Sequence, residues 1–96
     1  MQALKKVEII LSAPELPKLQ RLVEKLGLNY TVFHRVSGRG DRGIRADDDL
    51  TGVFTNICLL TACKAEQLPA LVEAVRPLLK KTGGLCLVSD VLSVMH

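Results

Sequence analysis

Ninety-six residues make one domain with a small core, because a chain of this length buries only roughly two-thirds of the surface its unfolded form exposes. With 48% apolar residues but 3% aromatics, the interior must be aliphatic, and no apolar run is long enough to span a bilayer. A net charge of +3, with no lysine or arginine run longer than two, gives only a weak argument for nucleic-acid or membrane-surface binding.

Met1 to Lys6 carries no long apolar stretch and no cleavage pattern, so a soluble, cytoplasmic protein is expected. Val7 to Ala13 is a β-branched run of strand length. From Leu16 the period changes: Leu16, Leu19, Leu22, Val23 and Leu26 recur at the spacing of one helix face, opposite Lys18, Arg21, Glu24 and Lys25. The helix start is ambiguous, since Ser12 with Glu15 fits a capping box whereas Pro17 prefers the first turn. Gly27 supplies a C-terminal cap. Asn29 to Ser37 reads as a second strand and Phe54 to Ala62 as a third. A second helix carries Leu68, Leu71, Val72, Val75, Leu78 and Leu79 on one face. Pro69 suits its first turn, and Pro77 predicts a bend near Glu73 or an early end. Thr82-Gly83-Gly84 stops it, and Leu85 to Met95 reads as a last strand, with a break expected around Ser89-Asp90.

The halves echo each other. Glu15-Leu16-Pro17 and Gln67-Leu68-Pro69 open similar helices, Leu22-Val23-Glu24 matches Leu71-Val72-Glu73, and both helices end at glycine before a strand. Two right-handed βαβ units give an α+β, ferredoxin-like βαββαβ fold: a four-stranded antiparallel sheet with both helices on one face. Residues 1–96 are read as one such domain. Ile57 to Leu60 and Leu85 to Val88 are apolar at consecutive positions, so both sheet faces ask for cover. No helix remains for the second face, and self-association through the sheets is expected.

Between the second and third strands lies Val36 to Gly52, which has neither helical nor alternating periodicity and is read as a binding loop. Gly38-Arg39-Gly40-Asp41-Arg42-Gly43 spells GxGxxG, but no helix follows and the chain is too short for a doubly wound sheet, so the dinucleotide reading fails. What the residues do offer is anion chemistry. Glycines let backbone N–H groups approach a phosphate, and Arg39, Arg42 and Arg45 supply planar, bidentate donors. The competing reading is a solvated loop whose arginines pair with Asp41 and Asp47 to Asp49. The aspartate triplet lacks the spaced ligands of a calcium loop. Cys58, Cys63 and Cys86 are odd in number and show no CxxC or CxxH spacing, so reduced, buried thiols are expected. His34 and His96 pair with no acid or cysteine at catalytic or zinc spacing, and no catalytic constellation is visible.

On the residues Lys5-Lys6-Val7-Glu8-Ile9-Ile10, Tyr30-Thr31-Val32, Gly38-Arg39-Gly40 and Thr82-Gly83-Gly84, the chain resembles the PII-like signalling family over essentially its whole length. The loop Gly38 to Arg45 looks closest to the PII-like proteins associated with carboxysomes and bicarbonate transporters. The resemblance implies a homotrimer with its sheets facing inward and adenine nucleotides (ADP, AMP or ATP) bound in clefts between subunits. It implies that Gly38, Arg39, Gly40, Arg42 and Arg45 hold phosphates, while Ile10, Thr31, Gly83, Gly84 and Leu85 contact adenine and ribose. It further implies that the T-loop, about residues 38–53, engages a bicarbonate transporter or carboxysome-related partner. Bicarbonate itself would fall to Arg42 and Arg45. Nitrogen-sensing members carry a tyrosine-bearing loop and arginines after the last strand. Here the one tyrosine is Tyr30 and the sequence ends at Met95-His96, which argues against 2-oxoglutarate sensing, uridylylation and tight triphosphate binding. A non-enzymatic sensor without a resident cofactor is therefore expected. The alternatives are a metal-handling trimer using Cys58, Cys63, Cys86, His34 and His96, and slow nucleotide hydrolysis at the same cleft.

Overall fold

The computed structural model describes residues 1–40, 43–45 and 55–96, with only the backbone described for Arg39, Gly40 and residues 43–45. Its elements are β1 (Gln2–Ser12), a 3-10 turn (Ala13–Glu15), α1 (Leu16–Lys25), β2 (Tyr30–Val36), β3 (Gly38–Gly40), β4 (Gly43–Arg45), β5 (Asn56–Cys63), a second 3-10 turn (Ala65–Gln67), α2 (Leu68–Thr82) and β6 (Leu85–Ser93). The order β2-β5-β1-β6, antiparallel throughout, makes the expected ferredoxin-like sheet.

The pleat of β1 sorts its residues. Val7, Ile9 and Leu11 are fully buried on one face, where they meet Ile57 and Leu59 of β5, Leu19 and Val23 of α1, and Leu71, Val75 and Leu78 of α2. Thr61 shares that face, and its hydroxyl donates to the Asn29 carbonyl at 2.6 Å, so the buried polar group is paired. The other face carries Phe33, Cys58, Ile10 and Leu85 in one row and Thr31, Leu60, Glu8 and Leu87 in the next. Within one protomer this face is open: Phe33, Leu85 and Leu87 are each about half exposed, at 52%, 48% and 49%. Lys6 and Glu8, 3.6 Å apart, form an ion pair on the same open face.

Both helix ends follow their glycines. At Gly27 (φ 73°) the Gly27 N–H donates to the Glu24 carbonyl at 2.9 Å and the Leu28 N–H to the Val23 carbonyl at 3.2 Å, a Schellman pair. Four sequence expectations need correction. Of the two helix starts left open, the Ser12–Glu15 capping box does not form: a 3-10 turn precedes α1, Pro17 falls in the first turn of the helix, and the Glu15 carboxylate is engaged elsewhere. Pro77 does not end α2 early: the helix runs on to Thr82, and Pro77 and Glu73 both lie on the exposed side, where water can satisfy the carbonyl the proline leaves without a donor. The last strand is unbroken through Ser89-Asp90: its ladder with β1 runs without interruption from Leu85 to Ser93, with the exposed Asp90 side chain paired to Lys5. Finally, the segment read as wholly irregular opens as a two-stranded ribbon, with Gly38 opposite Arg45, Arg39 opposite Ile44 and Gly40 opposite Gly43. Residues 41–42 and 46–54, including Asp41, Arg42, the Asp47–Asp49 run and Phe54, lie outside the described residues.

Ahead of the ribbon the sheet carries an irregularity with no signal in the sequence. Phe33 pairs with Cys58 and Val36 with Asn56, so β2 uses one residue more than β5 over this span, and Arg35 adopts φ 57°. A single extra residue with left-handed backbone is a β-bulge, a device that bends and twists an edge strand.

Candidate functional site

The glycine–arginine ribbon and the glycine turn, two of the regions expected to bind ligand, both lie at one end of the sheet. β1 and β2 finish there while β5 and β6 begin there, and Val36, Asn56 and Ser12 align in one row. The ribbon β3–β4 leaves from the β2 edge. At the opposite edge the Thr82–Gly84 turn delivers the chain into β6, whose first residue Leu85 pairs with Ile10. Three strand spacings, about 14 Å, separate the two edges.

The glycine turn is held closely. Gly83, at φ 69°, closes α2, and its N–H and that of Gly84 donate to the Leu79 carbonyl at 2.9 and 3.2 Å. The Thr82 hydroxyl donates to the Leu78 carbonyl at 2.9 Å. Gly84 lies against β1 so closely that a Cβ would stand 2.5 Å from the Ile10 carbonyl oxygen and 2.5 Å from Leu11 Cδ2. Only a residue without a side chain seats the turn on β1, and Ile10, Gly83, Gly84 and Leu85 are thereby brought together.

Behind that turn stands an ion pair that the sequence does not announce. Glu15, at the end of the first 3-10 turn, accepts from Lys81 Nζ at 2.9 Å and lies 3.8 Å from Lys18 Nζ. Its side chain is 12% exposed. The Lys81 hydrogen bond holds the Glu15 carboxyl below its ordinary value of 4.5, with Lys18 adding to the effect, although desolvation pushes the other way. The same contact raises Lys81. In sequence Glu15 reads as part of a cap; the lysines three residues after it and just before the glycine turn are the available clue.

Thr31 is not part of the cluster. It stands on β2, on the open sheet face, and with Lys6, Asn29, Leu60 and Ala62 it lines a cavity of ≈ 590 Å³. Its row leads through Leu60 and Glu8 to Leu87, so it sits at the opposite sheet edge from the glycine turn. One base and ribose cannot touch both within a protomer; a shared ligand requires Thr31 from a neighbouring subunit. Of the phosphate-binding residues expected, Gly38, Arg39, Gly40 and Arg45 fall in the ribbon, with Gly38 open to solvent and nothing within 4 Å of where its Cβ would be. Arg42 lies outside the described residues.

The metal reading finds no centre: among the described residues no three His, Cys, Asp or Glu side chains converge. Cys58 faces the open side of the sheet, while Cys63 and Cys86 pack toward the helices. All three are free thiols, and burial pushes each upward, with the Glu8 charge adding to the effect at Cys58. His34 is exposed on β2.

A ferredoxin-like domain whose second and third main strands are joined by a long loop opening in a glycine–arginine ribbon, with a glycine turn at the same sheet end, has the architecture of a PII-like signalling protein. The sequence matches the family described as Nitrogen regulatory protein P-II over residues 4–96, and the chain belongs to that family. Among solved structures it is similar to CPII, a nitrogen regulatory PII-like protein from Thiomonas intermedia K12, bound to ADP, AMP and bicarbonate. The identity is 26% and the TM-score 0.86, covering 94% of this chain and 87% of that one. CPII bound to ADP and bicarbonate matches with 27% identity, TM-score 0.82 and the same coverage. A PII-like signaling protein from Thermus thermophilus matches with 27% identity and TM-score 0.73, over 93% of this chain and 87% of that one. No curated protein matches the sequence. No helix among the described residues is long and apolar enough to cross a membrane.

Proposed function

We propose that this protein is a homotrimeric regulator that binds ADP or AMP, together with bicarbonate, in clefts between neighbouring subunits. One observation carries the reading: Gly84 is wedged on β1 beside Ile10 and Leu85, at the same sheet end as the Gly38–Gly40 ribbon but about 14 Å across from it. Each protomer thus carries the two elements at opposite edges of one sheet end while Thr31 stands away from the glycine turn, an arrangement that supports a site completed by a second subunit. The open apolar face with Phe33, Leu60, Leu85 and Leu87 supports assembly through the sheets. The likeness to a protein bound to ADP, AMP and bicarbonate supports the choice of ligands.

In this reading Gly38, Arg39, Gly40, Arg42 and Arg45 hold the phosphates of one subunit's ligand. Ile10, Gly83, Gly84 and Leu85 line the base from one side of the cleft, and Thr31 reaches it from the neighbouring subunit. Bicarbonate, a small planar anion, matches the forked guanidinium of Arg42 or Arg45 in the space a γ-phosphate would fill. The residues 38–53 then act as the T-loop of a single domain, and ligand binding sets their conformation for a partner in inorganic-carbon uptake or carboxysome function. A cytoplasmic location and a purely regulatory, non-catalytic role belong to the same proposal.

Calorimetry with ATP, ADP and AMP, each with and without bicarbonate, tests it. Saturable ADP or AMP binding that bicarbonate tightens is the expected result, and by linkage the nucleotide must tighten bicarbonate by the same factor. Absence of saturable binding for every nucleotide overturns the proposal. Binding with no bicarbonate effect removes its second half.

A further inference from the structure

The two helices that cover the core leave a groove on the outer surface, away from the sheet, with a volume of ≈ 770 Å³. Its floor is apolar: Leu22 of α1 with Ala74, Pro77 and Leu78 of α2. Leu78 is only 8% exposed, and Ala74 and Pro77 are short, so α2 presents a recess where a helix of average composition would present long side chains. The rim on α1 is basic. Lys18, Arg21 and Lys25 follow one another at three- and four-residue intervals and stand on one side of the helix.

The charges on this rim are unequally engaged. Lys18 leans on Glu15 at 3.8 Å, and Glu24, the one acid among the described residues that line the groove, accepts a hydrogen bond from the Tyr30 hydroxyl of β2. Among the described residues Arg21 and Lys25 have no acidic partner within ion-pair distance. Like charges one helical turn apart oppose the helix that carries them unless an anion is brought alongside. A recessed apolar floor bordered by such a stripe fits an amphipathic helix that inserts leucine-type side chains and lays carboxylates along α1. It fits a membrane surface less well, because the apolar residues between the helices are few and mostly short.

We infer that the α1–α2 groove is a docking site for an acidic amphipathic helix of a partner protein, with Leu22, Ala74, Pro77 and Leu78 receiving its apolar face and Arg21 and Lys25 its carboxylates. The site lies on the helix layer and so is separate from the nucleotide cleft proposed above; failure of nucleotide binding would leave it untouched.

Fluorescence anisotropy of the full chain tests the inference with a labelled helical peptide of about 14 residues, the length at which a helix becomes marginally stable in water. The peptide carries leucines at i, i+3, i+4 and i+7 with flanking glutamates; a control replaces each glutamate by lysine. Saturable binding is expected for the acidic peptide alone, weakening as salt rises from about 50 to about 300 mM. Arg21→Glu with Lys25→Glu should weaken it about tenfold, since two exposed ion pairs are exchanged for two repulsions. Ala74→Trp, which fills the floor, should abolish it, and Pro77→Glu provides a second floor variant should the first misfold. Equal binding of the lysine peptide, or no effect of the variants, overturns the inference. So does cosedimentation with anionic vesicles in the absence of peptide binding, or a change of assembly mass in the Arg21→Glu, Lys25→Glu protein, which would make a second copy of this chain the occupant.

Discussion

Gly84→Ala offers a direct measure of how tightly the glycine turn is seated. The added Cβ would lie 2.5 Å from both the Ile10 carbonyl oxygen and Leu11 Cδ2, whereas ordinary contact begins near 3.4 Å, so β1 and the turn must part by about 0.9 Å. The Ile10 oxygen is backbone and cannot rotate away, and Leu11 is 1% exposed and packed on all sides. Overpacking of this kind costs about 1–3 kcal/mol. In a domain of this size that corresponds to a Tm lower by about 10 °C, read by circular dichroism at fixed protomer concentration so that assembly does not confound it. Two other glycines calibrate the result. Gly27→Ala meets nothing within 4 Å but must hold φ at 73°, a cost of about 1 kcal/mol. Gly38→Ala meets neither obstacle and should leave stability within about 0.5 kcal/mol, while weakening any ligand whose phosphate approaches the backbone there. If Gly84→Ala melted within about 2 °C of the parent while Gly27→Ala behaved as stated, the crowding argument would be wrong.

Three more outcomes are expected. Glu15 has a lowered native pKa, so the stability it confers is present above its ordinary 4.5 and lost as pH falls through the lower native value; Tm measured from pH 6 to 3 should fall more steeply for the parent than for Glu15→Gln, and parallel profiles would refute the role of the Lys81 contact. Phe33→Glu with Leu87→Glu places charge on the open sheet face and should reduce the assembly to monomers in sedimentation velocity, with nucleotide binding lost; an unchanged assembly would exclude the sheet as the interface. With thiolate disfavoured by burial at Cys58, Cys63 and Cys86, a disulfide reagent at pH 8 should react with the native protein at least about tenfold more slowly than with the unfolded chain.

What was legible in the sequence was what repeats. Leu19, Val23, Leu71 and Val75 recur at helical spacing and are all fully buried, and the matching Glu-Leu-Pro and Gln-Leu-Pro openings point to the doubled βαβ plan. Gly27 and Gly83 mark helix ends because left-handed backbone has a residue signature. The features that stayed hidden depend on partners distant in sequence. Glu15 fits a local cap, and only the fold shows Lys81 competing successfully for its carboxylate. Asp90 reads as a strand breaker until the whole of β1 is laid alongside β6, with Lys5, 85 residues away, opposite it. Gly84 can be recognised as a turn residue, but not as one pressed against the Ile10 carbonyl, because that contact belongs to the turn's docking on β1 and not to the turn itself. Thr31 falls on a strand as expected, yet its separation from Gly83 to Leu85 follows from strand order, which the sequence states only indirectly.

The extra residue at Arg35 has a consequence of parity. A strand alternates sides at every step, and by simple alternation Val36 would share a side with Val32 and the helix-facing core. The bulge adds one to the count, so Val36 instead falls in the row of Asn56 and Ser12, on the side of the sheet that carries Phe33 and Cys58. The chain therefore enters the Gly38–Gly40 ribbon with its alternation inverted. A substitution at Arg35 that accepts left-handed backbone, such as glycine or asparagine, should preserve that inversion, whereas deleting one residue there should restore the original alternation. The residue count of β2 thus sets the phase on which the chain reaches Gly38.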